Sequence, residues 1–190
     1  MLEKEIKILD INQEEIIAKL EAFGAKRTFE GFVHDVYYDF PEEDENNKME
    51  DNKRLFRVRK KGETHMYTIK RKRNKKKVGG EKGVKIADEG EREISDVESF
   101  QKVLDKYGME KIREKKKFRI SYQLMHLEFD IDDYYIGDNS KIIPPLLEIE
   151  ARSKDELDVM VKKLELQDHR IETWGSRKLF EHYGQEYNYF

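Results

Sequence analysis

Three charged residues alternate at the start of the chain: Glu3, Glu5 and Lys7, in "MLEKEIKIL". The pattern recurs at Arg57/Arg59, Lys70/Lys72, Glu91/Glu93, Lys117/Arg119, Asp130/Asp132 and Glu148/Glu150. Alternate residues of a strand share a face, so each pair projects its charges in one direction. Ile6, Val58, Ile69, Phe118, Ile131 and Ile149 lie between them and need an apolar layer on the other face. An antiparallel sheet with one solvated face would show the same alternation. Two details favour an enclosed charged site. The charged positions hold almost only Glu, Asp, Arg or Lys, without the Thr, Ser and Gln that dilute ordinary surfaces. Acids and bases are also segregated by strand. Carboxylates suit hard cations such as Mg²⁺ and Mn²⁺, while Arg forks and Lys point charges suit phosphate oxygens. Together they would hold a metal–polyphosphate.

The elements that must position these pairs follow from local signals. Asn12 caps a helix over "QEEIIAKLEAFG", and Gly24 ends it. "FVHDVYYDF" (32–40) reads as a strand, and residues 41–53 as an acidic loop. "RLFRVRKK" and "HMYTIKRKR" form a hairpin around Gly62, and 74–83 is a basic connection. "VKIADEGEREI" resumes an extended pattern. Ser95 or Asp96 caps the helix "VESFQKVLDKYG". "KIREKKKFRISYQ" and "MHLEFDIDDYYIG" are two further strands. Pro144 and Pro145 precede the strand "LLEIEAR". Ser153 caps "KDELDVMVKKLEL", and "SRKLFEHYG" is a terminal helix. Many strands with few helices predict an α+β fold on one antiparallel sheet or barrel.

At 190 residues the chain suits one domain, 1–190. Charged residues make up 42%, yet 38 bases and 41 acids nearly cancel to a net −3. That balance argues against nucleic acid, including for "RKRNKKK" (71–77), which reads as the mouth of a site. "GGEKG" (79–83) has neither the Gly-Lys-Ser/Thr nor the helix of a phosphate loop. The absence of cysteine removes disulfides, thiol chemistry and Cys-ligated zinc. His34, His65, His126, His169 and His182 show no metal-ligand spacing. No apolar run spans a bilayer, and the charged strand begins at once, leaving no room for a leader. The expectation is a cytoplasmic monomer or homodimer with no membrane partner.

The order of these motifs resembles the CYTH superfamily, the triphosphate tunnel metalloenzymes, which include class IV adenylate cyclases, thiamine triphosphatases and tripolyphosphatases. The resemblance rests on Glu3-x-Glu5-x-Lys7, "YYD" (37–39), "FRVR" (56–59), "TIK" (68–70), "EREISD" (91–96), "KFR" (117–119) and "LEIE" (147–150). It implies a closed antiparallel barrel of about eight strands, a tunnel with helices packed outside. It further implies that Glu3, Glu5, Glu148 and Glu150 hold Mg²⁺ or Mn²⁺, with Glu91 or Glu93 in support. Lys7, Arg57, Arg59, Lys70, Lys117 and Arg119 would grip the triphosphate, Glu5 and Lys7 would be catalytic, and Asp132 is a further acidic match. The chain departs from the family pattern at Ala87, at "DNSKIIPPLLEIE" and at Ser176-Arg177, outside the metal and phosphate sets. The expected activity is metal-dependent hydrolysis of a linear triphosphate: a nucleoside triphosphate, thiamine triphosphate or tripolyphosphate. The alternatives are cyclisation of ATP to cyclic AMP and pyrophosphate, or a polyphosphate- or nucleotide-binding module without turnover.

Overall fold

The computed structural model describes residues 2–41, 54–72, 85–136 and 140–185. The acidic loop at 42–53 and the basic connection at 74–83, with its "GGEKG", lie outside the described residues. So does all of "RKRNKKK" except Arg71 and Lys72.

Strand β1 (Leu2–Ile8) leads into helix α1 (Gln13–Ala22), whose first turn is capped by Asn12 Oδ1 accepting from the Glu15 amide at 3.2 Å. Next come β2 (Lys26–Asp39), β3 (Arg54–Lys61), β4 (Thr64–Lys72) and β5 (Lys85–Glu93). β2 is longer than its aromatic stretch predicts, because its first half pairs with β6. Gly62, at φ 61°, turns the β3–β4 hairpin in a conformation that L side chains resist. Asp96 caps α2 (Val97–Lys106), and Ser153 with Glu156 forms a complete capping box on α3 (Lys154–Lys163). Between those helices run β6 (Glu110–Leu124), β7 (Leu127–Ile136), β8 (Ser140–Lys141) and β9 (Leu146–Ala151). β10 (Ile171–Glu172) and α4 (Ser176–His182) follow. No helix among the described residues is long and apolar enough to cross a membrane.

The described residues form an α+β fold of four helices and one large antiparallel sheet. The sheet has ten strands rather than about eight, because β8 and β10 add two residues each. Hydrogen-bonded neighbours run β10-β1-β5-β4-β3-β2-β6-β7-β8. β9 pairs with β1 along Lys4–Ile8 and with β7 along Glu128–Asp132.

Alternation sorts the two faces. Ile6, Ile120, Phe129, Ile131, Leu147 and Ile149 form one core with Ile16 and Leu20 of α1 and Leu157, Met160 and Val161 of α3. Burying each such side chain is worth about 1.5–3 kcal/mol. Phe56 and Val58 pack with Leu104 near α2. Ile69 departs from the expectation: it is 46% exposed. The other face carries the charges. Tyr134 and Leu146 share the alternation of Asp132 and Glu148, and they pack on Leu179 and Phe180 of α4. α4 therefore lies across one end of the charged face.

Candidate active site

The register assembles the charged face in rows across the sheet. One row runs Arg113–Tyr37–Arg57–Thr68–Glu91, over β6, β2, β3, β4 and β5. The next runs Lys115–Asp35–Arg59–Met66. On the other side, Ser121, Asp130, Glu148 and Lys7 form a row over β6, β7, β9 and β1. Gln123, Glu128, Glu150 and Glu5 form another. Together these rows enclose a cavity of about 710 Å³. Eleven bases and seven acids line it, a surplus that suits an anionic ligand.

The cavity is lined by Glu5, Lys7, Arg57, Arg59, Lys70, Glu91, Lys117, Arg119, Glu148 and Glu150, all read from the sequence as site candidates. Two candidates fall elsewhere, and the side chain of a third is not described. Glu93, opposite Met66 in the register, is exposed and does not line the cavity. Asp132 has 0% exposure and does not line the cavity. Glu3 pairs with Ala87 through β1 and β5, and its side chain lies outside the described residues, as do those of Ala87 and Lys85.

Three buried acids organise the bases. Asp35, 1% exposed, accepts from Arg59 Nε at 2.6 Å and Nη2 at 3.1 Å. It also lies 3.7 Å from Arg57 and 4.0 Å from Lys115. Asp132 accepts two bonds of 2.6 Å from Arg119 and one of 2.6 Å from Lys117. Glu148 lies 2.6 Å from Lys7 through Oε1 and accepts from Arg119 at 3.0 Å through Oε2. Lys7 also donates to Glu5 at 2.7 Å, and Arg119 contacts Asp130. Farther round, Arg57 donates to Thr68 Oγ at 3.0 Å and to Glu91 at 3.1 Å, while Lys70 bonds Glu89.

Burial disfavours the charges of Asp35, Glu148 and Lys7, and close partners keep them ionised. Burial pushes the carboxyls of Asp35 and Glu148 up, but nearby charges outweigh it and hold both well below the usual range. Arg59, Arg57 and Lys115 act on Asp35; Lys7, Lys117 and Arg119 act on Glu148. Burial likewise lowers Lys7, yet Glu148 and Glu5 leave its pKa raised. Lys117 is the exception. Burial, then repulsion from Arg119, pushes it down to about 8 despite Asp132 and Glu148.

Sequence reasoning passed over Asp35, Glu89, Arg113 and Lys115. Their signal was present: Asp35 shares the alternation of Tyr37, and Arg113 and Lys115 that of Lys117 and Arg119. Among the described residues no three His, Cys, Asp or Glu side chains are grouped closely enough to cage a metal ion by themselves. His34 and His126 instead pair with Glu114 and Glu156, each at 2.8 Å.

Buried Arg–carboxylate forks stand around a cavity that is lined by more bases than acids and built on an antiparallel sheet. The chain belongs to the CYTH family, whose domain model matches residues 1–173. No curated protein sequence matches it. A structure from Pyrococcus horikoshii OT3 is similar, at 23% identity over 93% of this chain and 98% of that one, with a TM-score of 0.69. A candidate adenylate cyclase from Vibrio parahaemolyticus gives 14%, 95% and 98%, with a TM-score of 0.68. A Hippeastrum protein described as having a dominant triphosphatase activity gives 15%, 97% and 96%, with a TM-score of 0.60. At these identities the likeness shows the fold alone.

Proposed function

We propose that the cavity binds a linear triphosphate with Mg²⁺ or Mn²⁺ and hydrolyses it. The observation that carries this reading is the convergence of Lys7, Arg57, Arg59, Lys70, Lys117 and Arg119 on one cavity beside a carboxylate wall. We also infer that residues 1–190 are a single domain whose sheet closes into a tunnel. Each of β1, β5, β4, β3, β2, β6, β7 and β9 has two hydrogen-bonded neighbours within that set. A ring of eight strands leaves an interior that holds side chains or one small ligand.

The donor chemistry fits the metal. Glu5 and Glu150 face each other in register, and Glu148 follows on the same wall. Mg²⁺ takes one or two carboxylates and completes its shell with water and substrate phosphates. Glu5, Glu148 and Glu150 would hold it, with Glu3 on the same strand. When bound, the ion neutralises charge on the phosphate oxygens.

The chain's own residues do the positioning that phosphoryl transfer demands. Arg59 and Arg119, fixed by Asp35 and Asp132, present their remaining N–H groups to phosphate oxygens. Lys7 and Lys117 add charge within the enclosed site. Glu5 orients the water, whose oxygen bonds to the terminal phosphorus as the bridging P–O bond breaks. The proton leaves through the carboxylate wall, and Arg57 meets the charge on the departing diphosphate.

Phosphorus NMR tests this. Tripolyphosphate, thiamine triphosphate and ATP are each incubated with the protein and Mg²⁺ or Mn²⁺. Orthophosphate is the expected product. Pyrophosphate with cyclic AMP from ATP replaces hydrolysis with cyclisation, and no turnover with either metal leaves a binding module.

A further inference from the structure

Among the described residues, five lysines line the cavity, and four of them have a polar partner for their amine. Lys7 bonds Glu5 and Glu148, Lys70 bonds Glu89, Lys115 bonds Ser176 and Lys117 bonds Asp132. Lys61 is the fifth. It follows Arg57 and Arg59 in the alternation of β3, and no described carboxylate pairs with it. Its ammonium stands instead 4.6 Å from the centre of the Phe29 ring. Two glycines make room for that ring. A Cβ on Gly31 would come within 3.3 Å of Phe29 Cζ, and one on Gly62 within 3.7 Å of Cε2.

The surroundings of this amine favour its neutral form. Val33 of β2 pairs with both Lys61 and Lys117, so the two lysines flank it in one row. Of the nearby acids, Asp130 is engaged by Arg119 and by Ser121 at 2.6 Å, and Glu128 is exposed. Burial, with Arg119 and Arg59, lowers the Lys61 pKa although Asp130 and Glu128 oppose the shift. A lysine becomes a nucleophile when burial and neighbouring cations favour the neutral amine and no carboxylate holds its proton. Lys117 fails the second condition: it is 4% exposed and donates to Asp132 at 2.6 Å. Lys61 is only half-buried and meets both. A cleft with surplus bases also concentrates small anions, by about 10–1000-fold. The electrophile such a cleft would bring to an amine is one that carries its own phosphate.

We propose that Lys61 is a modification site, acylated by small acyl phosphates that the cavity captures through their phosphate group. This rests on the reading of the cavity as a phosphate site. The neutral amine attacks the carbonyl carbon, and the C–N bond forms as the bond from that carbon to the phosphate oxygen breaks. Orthophosphate leaves with the electron pair beside Arg59 and Arg119, and the proton of the amine passes to water. The amide product is uncharged, so the cavity loses a cation.

Acetyl phosphate incubated with the full chain in EDTA, with and without tripolyphosphate, tests this. Tandem mass spectrometry assigns the acetyl group to residues. Lys60 is the internal control, since it adjoins Lys61 in sequence but is exposed and alternates to the other face of β3. Lys61 should be acetylated about tenfold faster than Lys60, and tripolyphosphate should suppress labelling of Lys61 but not of Lys60. Lys61→Arg keeps the charge, breaks no ion pair and should abolish the protected label. If tripolyphosphate binds by calorimetry, equal labelling of Lys60 and Lys61 overturns the proposal alone, as does protected label that falls on Lys117 or survives Lys61→Arg. Tripolyphosphate that neither binds nor protects any cavity lysine overturns the phosphate-site reading, and the proposal with it.

Discussion

Arg59 and Asp35 form a two-pronged ion pair, Nε to Oδ1 at 2.6 Å and Nη2 to Oδ2 at 3.1 Å, with Asp35 only 1% exposed. The carboxylate does not line the cavity; it holds a base that does. Asp132 does the same for Lys117 and Arg119. The cavity thus has buried acids that hold its bases from the same face of the sheet.

Asp35→Ala should destabilise the protein by about 3–5 kcal/mol, because it strands Arg59 in a buried site beside Arg57 and Lys115. Urea unfolding at neutral pH measures this. A loss below about 1 kcal/mol would mean that the pair is no stronger than an exposed surface bridge.

Acid should weaken the fold through Asp35 and Glu148. Both are held well below their ordinary values of 3.8 and 4.5. Near and below those values the unfolded chain binds more protons than the folded one, so stability rises with pH there. The contribution is complete above about 4.5 and is lost as pH falls through the folded-state values. Urea midpoints between pH 6 and pH 3, read as about a 3-unit range, should fall steeply, and less steeply in Asp35→Asn.

Lys117 should make ligand binding alkaline-sensitive. At about 8 its folded pKa lies below the ordinary 10.5, so the unfolded state holds the extra proton between those values and stability rises with pH across that window. Ligand affinity moves the other way, since a phosphate favours the charged amine. Tripolyphosphate binding should take up a proton above pH 8, seen as a buffer-dependent enthalpy in calorimetry. Lys117→Arg keeps its charge and should flatten that dependence; a wild-type enthalpy independent of buffer would sink the assignment.

Glu5→Gln should leave the fold intact while raising the Mg²⁺ or Mn²⁺ concentration needed for half-maximal turnover by about tenfold or more. Glu5 contributes no apolar packing, and Lys7 keeps Glu148 at 2.6 Å after the change. Metal-dependence curves beside thermal melts separate the two effects. Unfolding of the variant would make Glu5 a structural residue.

Much of the site was legible because a strand repeats every two residues. The alternation of Glu5 with Lys7, Arg57 with Arg59, Lys117 with Arg119 and Glu148 with Glu150 was enough to set each pair on one face. Capping residues Asn12, Asp96 and Ser153 were equally plain, because an N-cap bond closes within a few residues. Glu91 and Glu93 show the limit: they share a face, yet only Glu91 reaches the cavity.

The sequence by itself determined which residues share a face, where the helices begin, and that acids and bases are separated along the chain. Local geometry controls those properties. Only the tertiary structure decided that Asp35 pairs with Arg59, that Asp132 is buried against Lys117 and Arg119, and that Arg113, Lys115 and Arg177 line the same cavity. Each of those facts depends on the register between strands distant in sequence, and on the placement of α4. Period-two alternation is silent about both.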